Sequence, residues 1–117
     1  MSMSIYIQNK KPFKCTSGLF ESLTYTLEEI SEEQAINDPE INHFLSEMKF
    51  TTETMYPIFD VSESLKTAKG VAIVINLLEK AKAKMNCDLT RIGQEILFDF
   101  HNGLMEYYQE LELKEKA

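Results

Sequence analysis

Tryptophan is absent, and 117 residues contain only two cysteines, three prolines and four glycines. So few chain breakers argue against a loop-rich or all-β design. Cys15 and Cys87 have neither CxxC nor zinc-type spacing, which points to reduced thiols; a disulfide between them is the less favoured reading. No long apolar run occurs. The longest, residues 71–75, resumes at Leu77 and Leu78 and stays far short of the ~20 residues that span a bilayer. The opening MSMSIYIQNKK has no apolar h-region, so no signal peptide and a cytoplasmic location are expected. Gly-x-Ser-x-Gly, P-loop and dinucleotide fingerprints are all missing, so no cofactor is expected. The scarcest feature is positive charge: from residue 15 to 65 the only base is Lys49.

Eleven acids occupy that same stretch, so the net charge of −7 is a block of −10 (one base less eleven acids) beside three lysines in residues 1–14 and a balanced remainder. Such a field attracts basic partners and repels nucleic acid. Lys10, Lys11 and Lys14 around Phe13 are too few to track a phosphate backbone, and nucleic-acid binding is not expected. Apolar content of 44% with 26% charged residues is that of a globular chain, and the length suits one domain, residues 1–117.

The fold expected is mainly α, a compact bundle of about four helices with an optional short N-terminal strand. Residues 4–8 (SIYIQ) alternate weakly and supply that strand, followed by a basic turn through Lys10, Lys11 and Pro12. From Ser17, the apolar residues Leu19, Phe20, Leu23, Leu27 and Ile30 recur at helical spacing, which outweighs the strand-favouring Thr and Tyr at 24–26. Ser31-Glu-Glu-Gln34 reads as a capping box opening a new turn. Asp38-Pro39-Glu40 is a helix start, with Ile41, Phe44, Leu45 and Met48 as its buried face. Residues 51–60, which contain Pro57, form a connector with a turn or two of its own. Ser62 or Ser64 opens the next helix, which runs to Met85; its apolar 71–75 segment leaves a buried strand as the alternative. Asp88 caps the last helix, whose stripe is Leu89, Ile92, Ile96, Phe100, Leu104, Tyr107 and Leu111.

On the first helix, Glu21, Tyr25, Glu28 and Glu32 fall within about 60° of one another, opposite the apolar stripe. A solvated acidic face is the plain alternative. Two features weigh against it: Glu28 and Glu32 repel at i,i+4, and Glu28 and Glu29 lie toward the negative end of the helix dipole. Glu32 and Glu33 continue the ridge. Tyr56-Pro57, between Glu53 and Asp60, offers an aromatic anchor on the connector; the plain alternative is that Tyr56 or Phe59 only tucks the connector onto the core. Tyr56-Pro57 among acids resembles the Tyr-Tyr-Pro stretch of the small acidic helical immunity proteins that neutralise colicin nucleases. The likeness covers these residues and their charge alone, an analogy of design, since flanking sequence and length depart from that family.

The catalytic signals are thin. Glu40-Ile-Asn-His43 matches one Glu-x-x-His element of di-iron bundles, but the chain has no second one, so no metal ligand is assigned. His101, in Asp99-Phe-His-Asn102, suits a hydrogen bond to a neighbouring acid better than acid–base work. Neither cysteine has a histidine at a supporting spacing.

The sequence therefore points to a binding protein rather than an enzyme. Its acidic face would mask a basic protein, a toxin or effector, most concretely as an immunity protein or antitoxin of a bacterial nuclease toxin. The candidate partner-binding residues are Glu21, Tyr25, Glu28, Glu29, Glu32, Glu33, Glu53, Tyr56 and Asp60. A secretion chaperone or phage-encoded inhibitor is the second reading in this class. The different-class alternative is a small helical enzyme or metal-binding protein using His43 or His101 with carboxylates. Neither membrane nor nucleic acid is an expected partner, and oligomeric state is left open.

Overall fold

A computed structural model describes residues 2–8, 10–86 and 88–117. Among them the chain is mainly helical, in the order β1 (Ser2–Tyr6), β2 (Phe13–Thr16), α1 (Ser17–Glu33), α2 (Pro39–Thr54), β3 (Ile58–Asp60), α3 (Val61–Ser64), α4 (Ala68–Met85) and α5 (Arg91–Lys116). Strand order is β2-β1-β3, with β1 antiparallel to β2 and parallel to β3. No helix among the described residues is long and apolar enough to cross a membrane.

The N-terminal strand forms two residues earlier than its expected span, and it gains two partners that the sequence did not announce. Each is short: β2 sends Cys15 inward, and β3 sends Phe59 inward. Single buried positions of this kind leave almost no alternation to read. Residues 51–60 are correspondingly not a simple connector, because α2 continues to Thr54 and the chain then enters β3.

Helix α1 carries Phe20, Leu23, Leu27 and Ile30 into the core, as its spacing predicts. Thr24 does not divert it toward a strand, because its hydroxyl donates back to the Phe20 carbonyl at 2.8 Å. Ser31 opens no new turn. It is buried within α1, and the helix ends two residues later at Glu33, the chain turning away through Ala35, whose φ of 52° is left-handed. The Ala35 N–H donates to Glu32 O and the Ile36 N–H to Ser31 O, both at 3.0 Å, closing the end as a Schellman motif with Ile36 packed on the core. Glycine normally fills that position. Ala35→Gly is expected to stabilise the protein by about 0.5–1 kcal/mol, the left-handed penalty less glycine's extra chain entropy. A urea midpoint that fell would show that the motif does not hold in solution.

Asp38 caps α2 as expected, accepting from the Glu40 and Ile41 N–H groups at 2.9 and 3.2 Å, with Ile41, Phe44, Leu45 and Met48 buried. The expected single helix from Ser62 or Ser64 to Met85 is broken. Asp60 caps the short α3, and Thr67 caps α4. The break exists because Leu65 is fully buried and its carbonyl accepts the buried Tyr107 hydroxyl at 2.5 Å. That tether, two helices away in sequence, could not be read locally. Residues 71–75 are helical, as favoured.

Thr90, not Asp88, caps α5, its Oγ1 accepting from Gly93 N–H at 3.0 Å. Leu89 and Ile96 pack partly buried against the core, Ile92 is exposed where Gly93 and Leu97 are buried, and the expected stripe is fully buried at Phe100, Leu104, Tyr107 and Leu111. Phe59 locks β3 to the helices, with ring centroids 5.5 Å from Phe20 and 5.7 Å from Phe44.

Candidate functional site

Helix α2 ends through Met55, left-handed at φ 57°, with Tyr56 N–H returned to Thr51 O at 3.1 Å. The closure matches that of α1 but carries a methionine where glycine is easiest. Its consequence is to turn Met55, Tyr56 and Pro57 outward before the chain enters β3. Tyr56 is 59% exposed, and Phe50, Met55 and Ile58 are exposed beside it. Of the two residues proposed to tuck this segment onto the core, Phe59 does so and Tyr56 does not.

Tyr56 stands between two grooves. One, of about 310 Å³, runs between the start of β1, the start of α1 and the end of α2, lined in part by Glu21, Glu53, Met55 and Tyr56. The other, of about 350 Å³, runs between α2 and β3, lined by residues that include His43, Glu47, Phe50, Tyr56, Asp60 and Glu63. Four large exposed apolar side chains are thus gathered within nine residues and rimmed by carboxylates. Apart from Tyr25 of α1, the remaining exposed large apolar residues, Ile92, Phe98, Met105 and Leu113, are spread along about 30 Å of α5.

The nine candidate residues separate into groups. Glu29 and Glu33 both reach Lys84 of α4, at 2.5 and 3.3 Å. The ammonium holds the Glu29 carboxyl below its usual range, and Glu29 in turn holds Lys84 above its own. Glu28 faces Lys49 of α2 at 3.8 Å. The repulsion and dipole cost read from α1 alone are therefore offset by two lysines from other helices. Asp60 is engaged as a cap, its Oδ1 accepting from Ser62 N–H and Oγ at 2.9 and 2.6 Å. Glu21, Glu32 and Glu53 form no ion pair among the described residues, nor does Glu63, which the sequence reading omitted.

Space regroups them further. Glu21, Glu53 and Tyr56 share the first groove, although 32 residues separate Glu21 from Glu53. Tyr25 shares with Glu21 a different cleft, of about 580 Å³, against Leu89 and Ile92 beyond α4. Glu32 lies about 16 Å along α1 from Glu21, outside both grooves. Phe50 and Ile58 were missed. Phe50 carried a signal, because it is out of phase with the 41, 44, 45, 48 stripe of α2.

Of the catalytic candidates, Glu40 takes a structural role. Glu40 leaves His43 and turns to the N-terminus of α4, accepting from the Lys66 and Thr67 N–H groups and from Thr67 Oγ1. His43 is exposed, 3.9 Å from Glu47. No group of three or more His, Cys, Asp or Glu residues among the described residues is arranged to hold a metal ion. Cys15 is a buried free thiol whose pKa burial pushes up to about 11, the opposite of an activated nucleophile. Cys87, and with it the disulfide reading, lies outside the described residues.

His101 sits between Lys82, 3.0 Å from Nδ1, and Glu79, 3.7 Å from Nε2. An ammonium can only donate, so Nδ1 accepts and the ring is neutral with its proton on Nε2. Burial first, and then Lys82, hold the imidazole below its ordinary pKa despite Glu79. The unfolded chain therefore takes up this proton first, and stability falls as pH drops below the unfolded value of about 6.5. Urea midpoints at pH 8 and pH 5.5 should differ less in His101→Gln than in the unaltered protein. An equal difference would place the ring's titration outside the stability balance.

Comparison of the chain with protein-family models, with curated proteins and with solved structures finds no match in any of the three.

Proposed function

We propose that this protein is an acidic binding module that masks a basic protein partner, most concretely an immunity protein or antitoxin that covers the positive active-site surface of a nuclease toxin. The observation that supports it is the surface around Tyr56: four exposed apolar side chains rimmed by Glu21, Glu53 and Glu63, which form no ion pair among the described residues. Carboxylates left unpaired beside an apolar centre suit an interface, where long-range attraction speeds encounter and the desolvated centre slows release. The block of −10 provides the field, and the aromatic centre gives it a docking point.

The reading is tested by capture from the cells that make the protein. Tagged protein, and a Glu21→Lys/Glu53→Lys variant, are incubated with lysate at low salt, and the retained proteins are identified. A basic protein, held by the unaltered form, released as salt rises and bound at least tenfold more weakly by the variant, is the expected result. Equal retention by both forms would take this face out of the interface.

A further inference from the structure

The register of the sheet leaves one edge of β3 open. Ser4 pairs with Ile58, and the Ser4 N–H donates to Pro57 O at 2.8 Å. In a parallel ladder, alternate residues bond the same neighbour. Pro57 and Phe59 therefore spend their backbone groups on β1, whereas the N–H and C=O of Ile58 point to the opposite edge, where no strand follows among the described residues. The 350 Å³ groove lies at this edge, with α2 as its far wall. An open edge with unpaired backbone groups is a template for another strand.

Two further observations concern what would lie there. The walls are acidic, with Glu47, Glu63 and Asp60, and Phe50 and Tyr56 provide aromatic faces for aliphatic stems and cationic heads. Asp60 uses only Oδ1 for its cap. Ser64 also lines the groove; it is 6% exposed, and its Oγ is a buried hydroxyl with no hydrogen-bond partner among the described residues. A buried unpaired hydroxyl destabilises the free protein, a penalty that a ligand donor or acceptor can relieve.

We infer that the groove between α2 and β3 receives an extended, Lys/Arg-bearing segment of the partner, which joins the sheet as a fourth strand along Ile58. The inference rests on the masking role proposed above and specifies how the partner is held. Backbone pairing provides the register, alternate side chains enter the groove, and their ammonium or guanidinium groups meet Glu47, Asp60 and Glu63. Three residues of strand span about 10 Å, the length of β3. An acidic segment is excluded by charge. A helix is excluded because its backbone groups are already satisfied and leave those of Ile58 unpaired.

The test uses the intact protein and randomised twelve-residue peptides, selected at low salt and counter-selected on Ile58→Pro. Proline on an edge strand removes only the outward N–H, so β1 pairing is retained. The enriched peptides are expected to alternate apolar and basic residues. Each is then synthesised with single N-methyl amides along its length. N-methylation should weaken binding at least tenfold at every second residue and little between them, and the Ile58 amide should exchange more slowly in the complex. Ser64→Ala should fold as well as the unaltered protein and bind several-fold more weakly. Loss without the two-residue period, peptides lacking basic residues, or no enrichment over Ile58→Pro would each overturn the fourth strand. Because the peptide experiments leave Glu21 and Glu53 intact, their failure is distinct from failure of the masking role, which the lysate capture reads.

Discussion

Replacing Glu40 with alanine should lower the unfolding free energy by about 2 kcal/mol, a large effect for a half-exposed glutamate. The carboxylate accepts the N–H groups of Lys66 and Thr67 and the Thr67 hydroxyl, and Thr67 Oγ1 in turn accepts the Gly70 N–H at 3.0 Å. One charged group thus completes the start of α4, the helix whose Val71, Val74, Leu77 and Leu78 form the centre of the core. Hydrogen bonds to charged groups contribute about 1.5–3 kcal/mol each, and water reaching a half-exposed site replaces much of that. Glu115 supplies a second carboxylate, accepting the Ala68 N–H at 2.7 Å, so α4 loses only part of its anchorage.

Gly70 makes the prediction sharper. A methyl group there would stand 2.6 Å from the Glu40 carboxyl carbon. The carboxylate is the end of a flexible chain and can swing aside, but only by surrendering those three bonds. Gly70→Ala should therefore destabilise the unaltered protein by about 1 kcal/mol, although alanine is intrinsically the better helix former by about that amount. In a Glu40→Ala background the same substitution should stabilise. The sign reversal, a coupling of about 2 kcal/mol in a double-mutant cycle of urea midpoints, identifies the contact. Additive effects would mean that Glu40 does not hold α4.

Glu40 also shows where the sequence stops being legible. Its helix start was plain in Asp38-Pro39, a local signal read correctly, but its partners lie 26 and 27 residues away. The helices were readable because each carries a repeating apolar face: α1, α2 and the second half of α5 fall on the expected residues. What failed was set by tertiary contact. Tyr107 captures the Leu65 carbonyl and splits one expected helix in two, and at the start of α5 Gly93 and Leu97 are buried where Ile92 was expected. The strands β2 and β3 have one clearly buried side chain each, too few to make a period.

The surface shows the same division. Residue type and charge were visible in sequence, and neighbours were not. Glu28 and Glu29 look costly on α1 alone, yet Lys49 approaches Glu28 from α2 and Lys84 approaches Glu29, and Glu33 with it, from α4. Their ion pairs are exposed and contribute little to stability, yet they neutralise the C-terminal half of the ridge. Glu21, Glu53 and Glu63 form no ion pair among the described residues. These come from three separate segments, and only folding sets them around Tyr56.

Tyr56→Ala is accordingly expected to weaken capture of the basic partner at least thirtyfold, about 2 kcal/mol or more, while leaving the fold unchanged. Interface energy concentrates in aromatic residues at the centre of a patch, ringed by groups that exclude water. Tyr56 has that position: it lines both grooves, with Glu53 on one side and Glu63 on the other. It is also 59% exposed in the free protein, so removing its ring should move stability by no more than about 0.5 kcal/mol. Phe59→Ala is the opposite case. Its ring is buried between Phe20 and Phe44, and its loss should cost about 3 kcal/mol whatever the partner does. Tyr25→Ala tests the ridge itself, since Tyr25 faces the other cleft and should affect capture by less than threefold. If Tyr25 proved the stronger determinant, the interface would lie along α1 as the linear pattern of acids first indicates. If Tyr56→Ala lowered stability and spared capture, the outward turn at Met55 would be a feature of folding alone.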